Sequence, residues 1–246
     1  MIYYINMKKD KKRNKWMQKQ LKNYSYKRIE AIDGKNKKQL SNIFITLPKM
    51  NENQGELGCL ASHLKAIKTA YQNNLDEVLI LEDDLDLELF HKYKDNLFKK
   101  WNENREKINL IQIFTNSHSC KVYKDFLSKK ELNIYSIDEF KNMWGTQGYI
   151  INKEGINKIM EYYDIEKDIF DLDGFDNYLK ADVFLYSVCN TNIINFPFLN
   201  LTKFPSNIHK NHDKIIREPV MNFINANKKE MMEIMDKIEL KNILLF

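Results

Sequence analysis

Three consecutive acidic residues, Glu82, Asp83 and Asp84, directly follow the apolar run Val78–Leu81. Ligand sites in open α/β sheets form outside the carboxyl ends of strands, so these carboxylates stand where chemistry is expected. Adjacent carboxylates repel one another unless a cation lies among them, and a hard divalent ion carrying phosphate oxygens suits that position. An acidic loop that merely ends a strand fits the same residues. Asp86 extends the acidity, either as a further ligand or as a solvated residue before the next helix.

The elements that must position these carboxylates alternate between strand and helix patterns. The patterns predict strands at 2–6, 26–32, 77–81, 108–114, 143–152 and within 183–196, and helices near 16–21, 56–71, 89–101, 153–163 and 219–240. Residues 35–54 are polar and are predicted to be mostly loop. This alternation predicts one α/β domain with a mostly parallel central sheet and a C-terminal helical extension.

Composition excludes several classes of protein. The chain has 246 residues, of which 43% are hydrophobic and 12% aromatic, so extensive disorder is excluded. Its apolar runs are too short to span a bilayer, and no transmembrane segment is expected. The net charge is +5, but only four of the 39 basic residues are arginine: Arg13, Arg28, Arg105 and Arg217. Scattered lysine lacks the planar fork that reads bases and phosphates, so nucleic acid is not an expected partner.

The cysteines and the N-terminal sequence indicate the compartment. Cys59, Cys120 and Cys189 are odd in number and include no CxxC pair, so neither a disulfide framework nor a zinc cluster is expected. Cys59 is interpreted as a packed core thiol. The first ten residues lack the charge-then-apolar order of a secretory signal. We expect a cytoplasmic protein, in a bacterium or, if the source is viral, in its host.

Several short blocks resemble glycosyltransferase family 25, which holds bacterial lipooligosaccharide galactosyltransferases and collagen galactosyltransferase domains. The blocks are GELGCLASH at 55–63, LEDD at 81–84, YIN at 4–6 with Arg13 after it, AIDG at 31–34 and GTQGYI at 145–150. The similarity runs from the first strand to about Ile208. The first block followed by LEDD is its most specific part.

The resemblance implies a GT-A fold, in which a Rossmann-like sheet binds a nucleotide sugar. We therefore place a glycosyltransferase domain at residues 1–217 and a helical extension at 218–246. The implied reaction is a metal-dependent, inverting transfer of a hexose, galactose or glucose, from a UDP-sugar. The acceptor is a hydroxyl of a saccharide, as in lipopolysaccharide biosynthesis, or of hydroxylysine, as in collagen glycosylation. The implied ion is Mn²⁺, with Mg²⁺ as the alternative.

The resemblance also implies which residues form the site. Glu82 and Asp84 are the predicted metal ligands, Asp86 is a secondary candidate, and His209 is added by analogy with other GT-A enzymes. The predicted donor-binding residues are Asn6, Arg13, Asp33, Gly34, Ser62, His63, Asp83, Gly145 and Thr146.

Asp176 is the predicted catalytic base, because inversion requires a group that takes the proton of the acceptor hydroxyl. It matches an aspartate that the family places in a short segment after the GTQGY-like strand. Gly174 stands where the family usually has proline. A structural role for Asp176 as a helix cap is the alternative, and Asp171 and Asp173 are rival bases.

Two other functions remain open at this point. Carboxylates at strand ends also serve metal-dependent phosphohydrolases and nucleotidyltransferases. A retained fold can also support a non-catalytic module that binds nucleotide sugars or glycans. The methionine-rich terminal helix is predicted to be core or the contact of a homodimer.

Overall fold

The computed structural model describes residues 1–45, 53–117, 119–140, 145–175, 180–206, 208 and 213–244. Strands and helices alternate along these residues. The strands are β1 (Ile2–Asn6), β2 (Tyr26–Glu30), β3 (Glu77–Glu82), β4 (Leu85–Asp86), β5 (Leu110–Gln112), β6 (Ile134–Ser136), β7 (Gly148–Asn152), β8 (Tyr163–Asp164), β9 (Ile169–Phe170), β10 (Thr191–Ile194) and β11 (Asn200–Leu201). The helices are α1 (Lys11–Leu21), α2 (Lys37–Ser41), α3 (Gln54–Gln72), α4 (Glu88–Asn104), α5 (Lys121–Lys129), α6 (Lys153–Met160), α7 (Ala181–Val188) and α8 (Glu218–Leu244), the last preceded by a π-helical turn at Asp213–Arg217.

Seven strands form the central sheet in the order β2-β1-β3-β7-β5-β10-β6. Strands β2, β1 and β3 are parallel, β10 is parallel to β5, and β7 and β6 run antiparallel to their neighbours. Helices cover both faces of this sheet, as a mostly parallel sheet requires. The predicted α/β class is therefore confirmed, and the arrangement is the Rossmann-like sheet of a GT-A fold.

Successive residues of the central strands enter two different hydrophobic cores, because side chains alternate across a sheet. Leu79 and Leu81 pack in a core with α1, α4, α5 and α8, whereas Val78 and Ile80 pack in a core with α3, α6 and α7. The terminal helix contributes buried residues such as Met231 to the first core. The face that a strand residue occupies therefore decides which helices it meets.

Some predicted elements differ from the observed ones. The segment 35–54, predicted as loop, contains α2, whose N-cap Asn36 accepts a hydrogen bond from the Gln39 N–H. The β-prone stretch 183–196 begins inside helix α7, and only β10 is strand. Ala181, Phe184 and Leu185 are the buried residues of α7, at helical spacing, which a short apolar run conceals. The predicted strand 143–152 is shorter and antiparallel.

Two glycines bring the loop after β2 against the start of α3. A Cβ on Gly34 would lie 1.6 Å from the carbonyl oxygen of Gln54, and one on Gly58 would lie 2.6 Å from the Gly34 nitrogen. No larger residue fits this approach without moving backbone. The contact fixes the first turns of α3 near the end of β1.

Among the described helices, none combines the length and the apolar character that a membrane crossing requires.

Candidate functional site

The candidate site lies where several strand ends meet at one edge of the sheet. The carboxyl ends of β1, β3 and β5 lie beside the amino-terminal end of the antiparallel β7. Leu81 is paired with Gly148, and the Glu82 N–H donates a 2.8 Å hydrogen bond to the carbonyl of Gln147. The loop 145–147 therefore lies directly beside Glu82–Asp84, which we call the acidic turn.

Asp83 and Asp84 of the acidic turn are each bound by a buried arginine. Arg13 Nη1 lies 2.7 Å from Asp83 Oδ1, and Arg217 Nη1 lies 2.6 Å from Asp84 Oδ2. Arg13 Nη1 also lies 3.7 Å from Asp84 Oδ2. The side chains of these two arginines and two aspartates are no more than 10% exposed. We call these four residues, with Asn6, the arginine side of the turn.

Burial dominates the electrostatics of the arginine side. It raises the pKa of Asp83 to about 6, against the opposing effect of Arg13 and with a further increase from the Asp84 charge. Burial alone would lower the pKa of Arg13, but Asp84 and Asp83 outweigh it and leave that pKa raised. Asn6 Nδ2 donates to Asp83 Oδ2 over 2.6 Å, and Arg28 Nε donates to Asn6 Oδ1 over 2.8 Å. Three of the chain's four arginines thus belong to one connected network.

Arg217 was missed by the sequence reasoning. It lies in the π-helical turn before α8, outside the blocks that carry the family resemblance. Its Nη2 donates to the carbonyl of Phe204 over 3.2 Å, and Arg13 Nη2 donates to the neighbouring carbonyl of Pro205. The scarcity of arginine in a lysine-rich chain was the available signal, because a buried carboxylate favours the guanidinium fork.

Glu82 of the acidic turn faces helix α3 instead. Its Oε1 accepts a 3.2 Å hydrogen bond from the Thr146 hydroxyl and lies 3.7 Å from His63 Nε2. His63 Nδ1 is hydrogen-bonded to the Tyr149 hydroxyl at 3.0 Å, and Cys59 Sγ lies 3.9 Å from Thr146 Oγ1. We call these five residues the α3 side of the turn.

The α3 side contains donor atoms that could hold a metal ion. Ligand atoms of Cys59, His63 and Glu82 all lie within 4.8 Å of one another, the one such group of three among the described residues. Burial, with the nearby Glu82 carboxylate as the next cause, raises the pKa of the Cys59 thiol well above its ordinary value. Cys59 was predicted to be a packed core thiol. The structure also places its sulfur near the polar groups of Thr146, His63 and Glu82.

The loop before β7 is fixed around Gly145, whose φ is +105°. The Gly145 N–H donates to Asp182 Oδ2 over 3.0 Å, and its carbonyl accepts from Gln112 Nε2 over 2.9 Å. A Cβ here would lie 2.1 Å from Gln147 Oε1. Within the described residues, this Gln147 oxygen and the buried Asn116 Oδ1 have no hydrogen-bond partner. The loop therefore presents polar atoms beside the acidic turn.

Other predicted donor-binding residues make local contacts. The Ser62 hydroxyl donates to the Gly58 carbonyl and accepts from the Ile32 N–H, over 2.5 and 2.8 Å. Asp33 Oδ1 accepts from the Lys35 N–H over 3.0 Å. These contacts shape the loop after β2, which includes Gly34. None of them involves the acidic turn.

The remaining predicted ligands and bases make local contacts or lie outside the described residues. Asp86 Oδ1 accepts the N–H of Glu88 over 2.8 Å at the start of α4. Asp171 Oδ1 accepts the N–H of Asp173 over 3.0 Å in an exposed turn. Asp176 and His209 lie outside the described residues, so their roles stay predictions.

A mostly parallel sheet with acidic side chains at the carboxyl end of β3 is the arrangement expected of a GT-A glycosyltransferase. The family profile described as glycosyltransferase family 25 (LPS biosynthesis protein) matches residues 1–173. The chain belongs to glycosyltransferase family 25.

One curated relative is Procollagen galactosyltransferase 1 of Danio rerio, which is 27% identical over 179 residues. The match covers 68% of this chain, and it spans only 29% of the relative's length. Among solved structures, A197 from STIV is similar with a TM-score of 0.38 and 12% identity, over 81% of this chain and 82% of that one.

Proposed function

We propose that the protein transfers a hexose from a UDP-sugar to a hydroxyl group. The observation that carries the proposal is the pair of buried arginine–aspartate contacts at the carboxyl end of β3 in a family 25 chain. Galactose is the first candidate, because the curated relative is a galactosyltransferase, and glucose is the second. The acceptor is a saccharide hydroxyl, in line with the family description, or hydroxylysine, in line with the relative's name.

The metal ion that the family implies fits this edge of the sheet. Asp84 Oδ1 is buried and accepts no hydrogen bond within the described residues, so it is an available anionic ligand. Carboxylate oxygens are ligands that Mn²⁺ and Mg²⁺ favour. Glu82 and Asp84 are the predicted ligands, with Asp86 and His209 as further ones; Glu82 faces the α3 side of the turn, whereas Asp84 lies on its arginine side. When bound, such an ion neutralises charge on the departing diphosphate.

The chain's own residues orient the acidic turn for this chemistry. Arg13 and Arg217 contact Asp83 and Asp84 and hold these carboxyl groups in one geometry. Because both guanidinium groups are fixed by buried contacts, the carboxyl groups that they hold need little reorganisation when an ion and a diphosphate bind. Asn6 and Thr146 add hydrogen bonds to the turn from the neighbouring strand and loop. The site is thereby organised to receive a diphosphate.

Asp176 is the proposed base, with Asp171 and Asp173 as its rivals. Asp176→Asn keeps nearly the same shape but cannot accept a proton, so transfer should fall while the UDP dissociation constant stays nearly constant. If Asp176 only caps a helix, transfer should persist, because asparagine caps about as well as aspartate. Paired measurements of UDP affinity and transfer rate separate the two roles, and an active variant would move the assignment to Asp173 or Asp171.

The proposed function is tested by screening UDP-galactose and UDP-glucose with the full chain. Assays contain Mn²⁺ or Mg²⁺ and either a hydroxylysine peptide or a saccharide acceptor, and both UDP and the product are measured. We expect UDP release that the acceptor accelerates, with a glycosylated product. Phosphate release that is independent of acceptor would favour a phosphohydrolase. Binding of nucleotide sugar without turnover would favour a binding module, and neither binding nor turnover would reject the proposal.

A further inference from the structure

We propose that Cys59, His63 and Glu82 bind one first-row transition-metal ion on the α3 side of the acidic turn, with Zn²⁺ held more tightly than Mn²⁺ and Mg²⁺ excluded. The inference rests on the proposed function only for the use of this ion in transfer. The binding itself is a property of three side chains and is tested without any sugar.

The helix supplies two of the three donors by its periodicity. Cys59 and His63 are four residues apart on α3, so their side chains lie one above the other on the same face. Glu82, the last residue of β3, brings the third donor from the sheet. Two rigid elements therefore meet at the site, which is how precise ligand geometry is maintained.

The separations match the size of such an ion. Zinc binds sulfur at about 2.3 Å and nitrogen or oxygen at about 2.0–2.2 Å, so the sulfur, nitrogen and oxygen donors of a tetrahedral site are roughly 3.3–3.6 Å apart. His63 Nε2 and Glu82 Oε1 are already 3.7 Å apart. With every donor within 4.8 Å of the others, binding would shorten each separation by no more than roughly 1.5 Å, shared between two side chains.

The groups behind these donors also suit a metal site. Ligating histidines usually use their second ring nitrogen for a hydrogen bond that fixes orientation, and His63 Nδ1 has the Tyr149 hydroxyl at 3.0 Å. Ligating carboxylates are likewise hydrogen-bonded, and Glu82 accepts from Thr146. Three protein ligands leave the fourth position for substrate, as in catalytic zinc sites.

The donor chemistry decides the class of ion. A thiolate and an imidazole favour zinc-like ions over Mg²⁺, and along the first row affinities rise from Mn²⁺ to Cu²⁺, with Zn²⁺ above Mn²⁺. The arginine side offers a poorer alternative, because Asp83 directs its two oxygens to Arg13 and Asn6. Asp84 has Oδ2 on Arg217 and offers only its Oδ1. Glu82 is therefore the member of the acidic turn that is free of an arginine contact and faces a thiol and an imidazole.

The test is a metal titration of the chelator-treated full chain without nucleotide sugar. Co²⁺ is the probe, because a cobalt–thiolate bond gives a charge-transfer absorption that oxygen ligands do not give. We expect one ion per chain, the thiolate absorption in the wild type, displacement of Co²⁺ by Zn²⁺ and none by Mg²⁺. Cys59→Ser should abolish the absorption, whereas the control Cys120→Ser, which changes a thiol of the other core, should retain it.

A second variant protects the test against misfolding of Cys59→Ser. Tyr149→Phe leaves all three ligands in place but removes the hydrogen bond to His63, and we expect Zn²⁺ affinity to fall by about 10-fold or more. Absence of stoichiometric Zn²⁺ binding, or thiolate absorption that survives in Cys59→Ser, would overturn the inference. Transfer supported by Mg²⁺ in a protein that binds no Zn²⁺ would overturn it while leaving the proposed function intact. Zn²⁺ binding without transfer would reject the function alone.

Discussion

The two sides of the acidic turn differ in the groups that contact its carboxylates. On the arginine side, Asp83 and Asp84 are buried and each is bound by a guanidinium group. On the α3 side, Glu82 is about 20% exposed and faces neutral or weakly basic groups, a hydroxyl, a thiol and an imidazole. The three consecutive acidic residues therefore lie in two different environments, because side chains that follow one another at the end of a strand meet different neighbours.

The largest expected effect comes from breaking the arginine side. Arg217→Met should lower the free energy of unfolding by about 3–5 kcal/mol, because it leaves the buried Asp84 charge without its partner. The measurement is urea unfolding at neutral pH. Lys92→Met is the matched control, since it removes the exposed pair with Asp236 and should cost no more than about 1 kcal/mol. Equal losses in the two variants would show that the buried contact is not a strong one.

A second variant tests whether the unpaired charge causes this loss of stability. Adding Asp84→Leu to Arg217→Met removes the unpaired charge as well, so we expect much of the lost stability to return. Transfer should nevertheless remain lost, because Asp84 is a proposed metal ligand. Recovery of stability without recovery of turnover would separate the structural role of the pair from the catalytic one. A double variant less stable than Arg217→Met would contradict the explanation.

The next effect concerns the hydroxyl groups of Tyr149 and Tyr3, which both lie in the core that contains α3. Tyr149→Phe, which weakens the proposed metal site, should lower the unfolding free energy by about 1–3 kcal/mol, because it leaves a buried nitrogen of His63 without this hydrogen bond. Tyr3→Phe removes a hydrogen bond from the exposed Asn73, so it should cost less stability and have no effect on Zn²⁺ affinity. Isothermal titration of both variants checks this difference. Equal Zn²⁺ affinity in the two variants would show that Tyr149 does not support the proposed metal site.

The smallest effect is expected at an acidic residue near the far edge of the sheet. Burial tends to raise the pKa of Asp125, but hydrogen bonds from Lys129, Tyr135 and Asn195 outweigh it and leave that pKa lowered. A lowered folded-state pKa adds stability above the ordinary value of 3.8, and this contribution disappears as the pH falls below it. Asp125→Asn should therefore be less stable than wild type at pH 7 by about 1 kcal/mol, and this difference should shrink as the pH falls below 3.8. Unfolding curves across this pH range test the convergence.

Much of the fold could be predicted from residue patterns. Helix α3 has apolar residues at helical spacing over many turns, and β3 is a continuous apolar run, so both were predicted within a few residues. The antiparallel direction of β7 could not be predicted, because a fully buried strand carries the same apolar pattern in either direction. Helix α7 was obscured for a related reason, since its eight residues are too few to distinguish the two periods.

The candidate site was predicted less completely than the fold. The acidic turn followed from its place after a buried strand, but its division into two sides depends on which groups surround each carboxylate. Arg217 reaches Asp84 across 133 positions of sequence, a contact that no local pattern announces. Cys59 and His63 did leave a signal, because a spacing of four on a helix places two ligands on one face.

The central claim is that the carboxylate at the end of β3 takes part in hexose transfer. Strand β3 begins and ends with glutamate, so Glu82→Gln and Glu77→Gln form a matched pair on one element. Glu77 contacts Trp101 and Arg105 at the opposite end of the strand. The decisive measurement is the transfer rate from the best UDP-sugar for both variants, with the ion that supports the fastest wild-type reaction. The account predicts a loss of at least about 100-fold for Glu82→Gln and a near wild-type rate for Glu77→Gln. Equal rates in the two variants would contradict it.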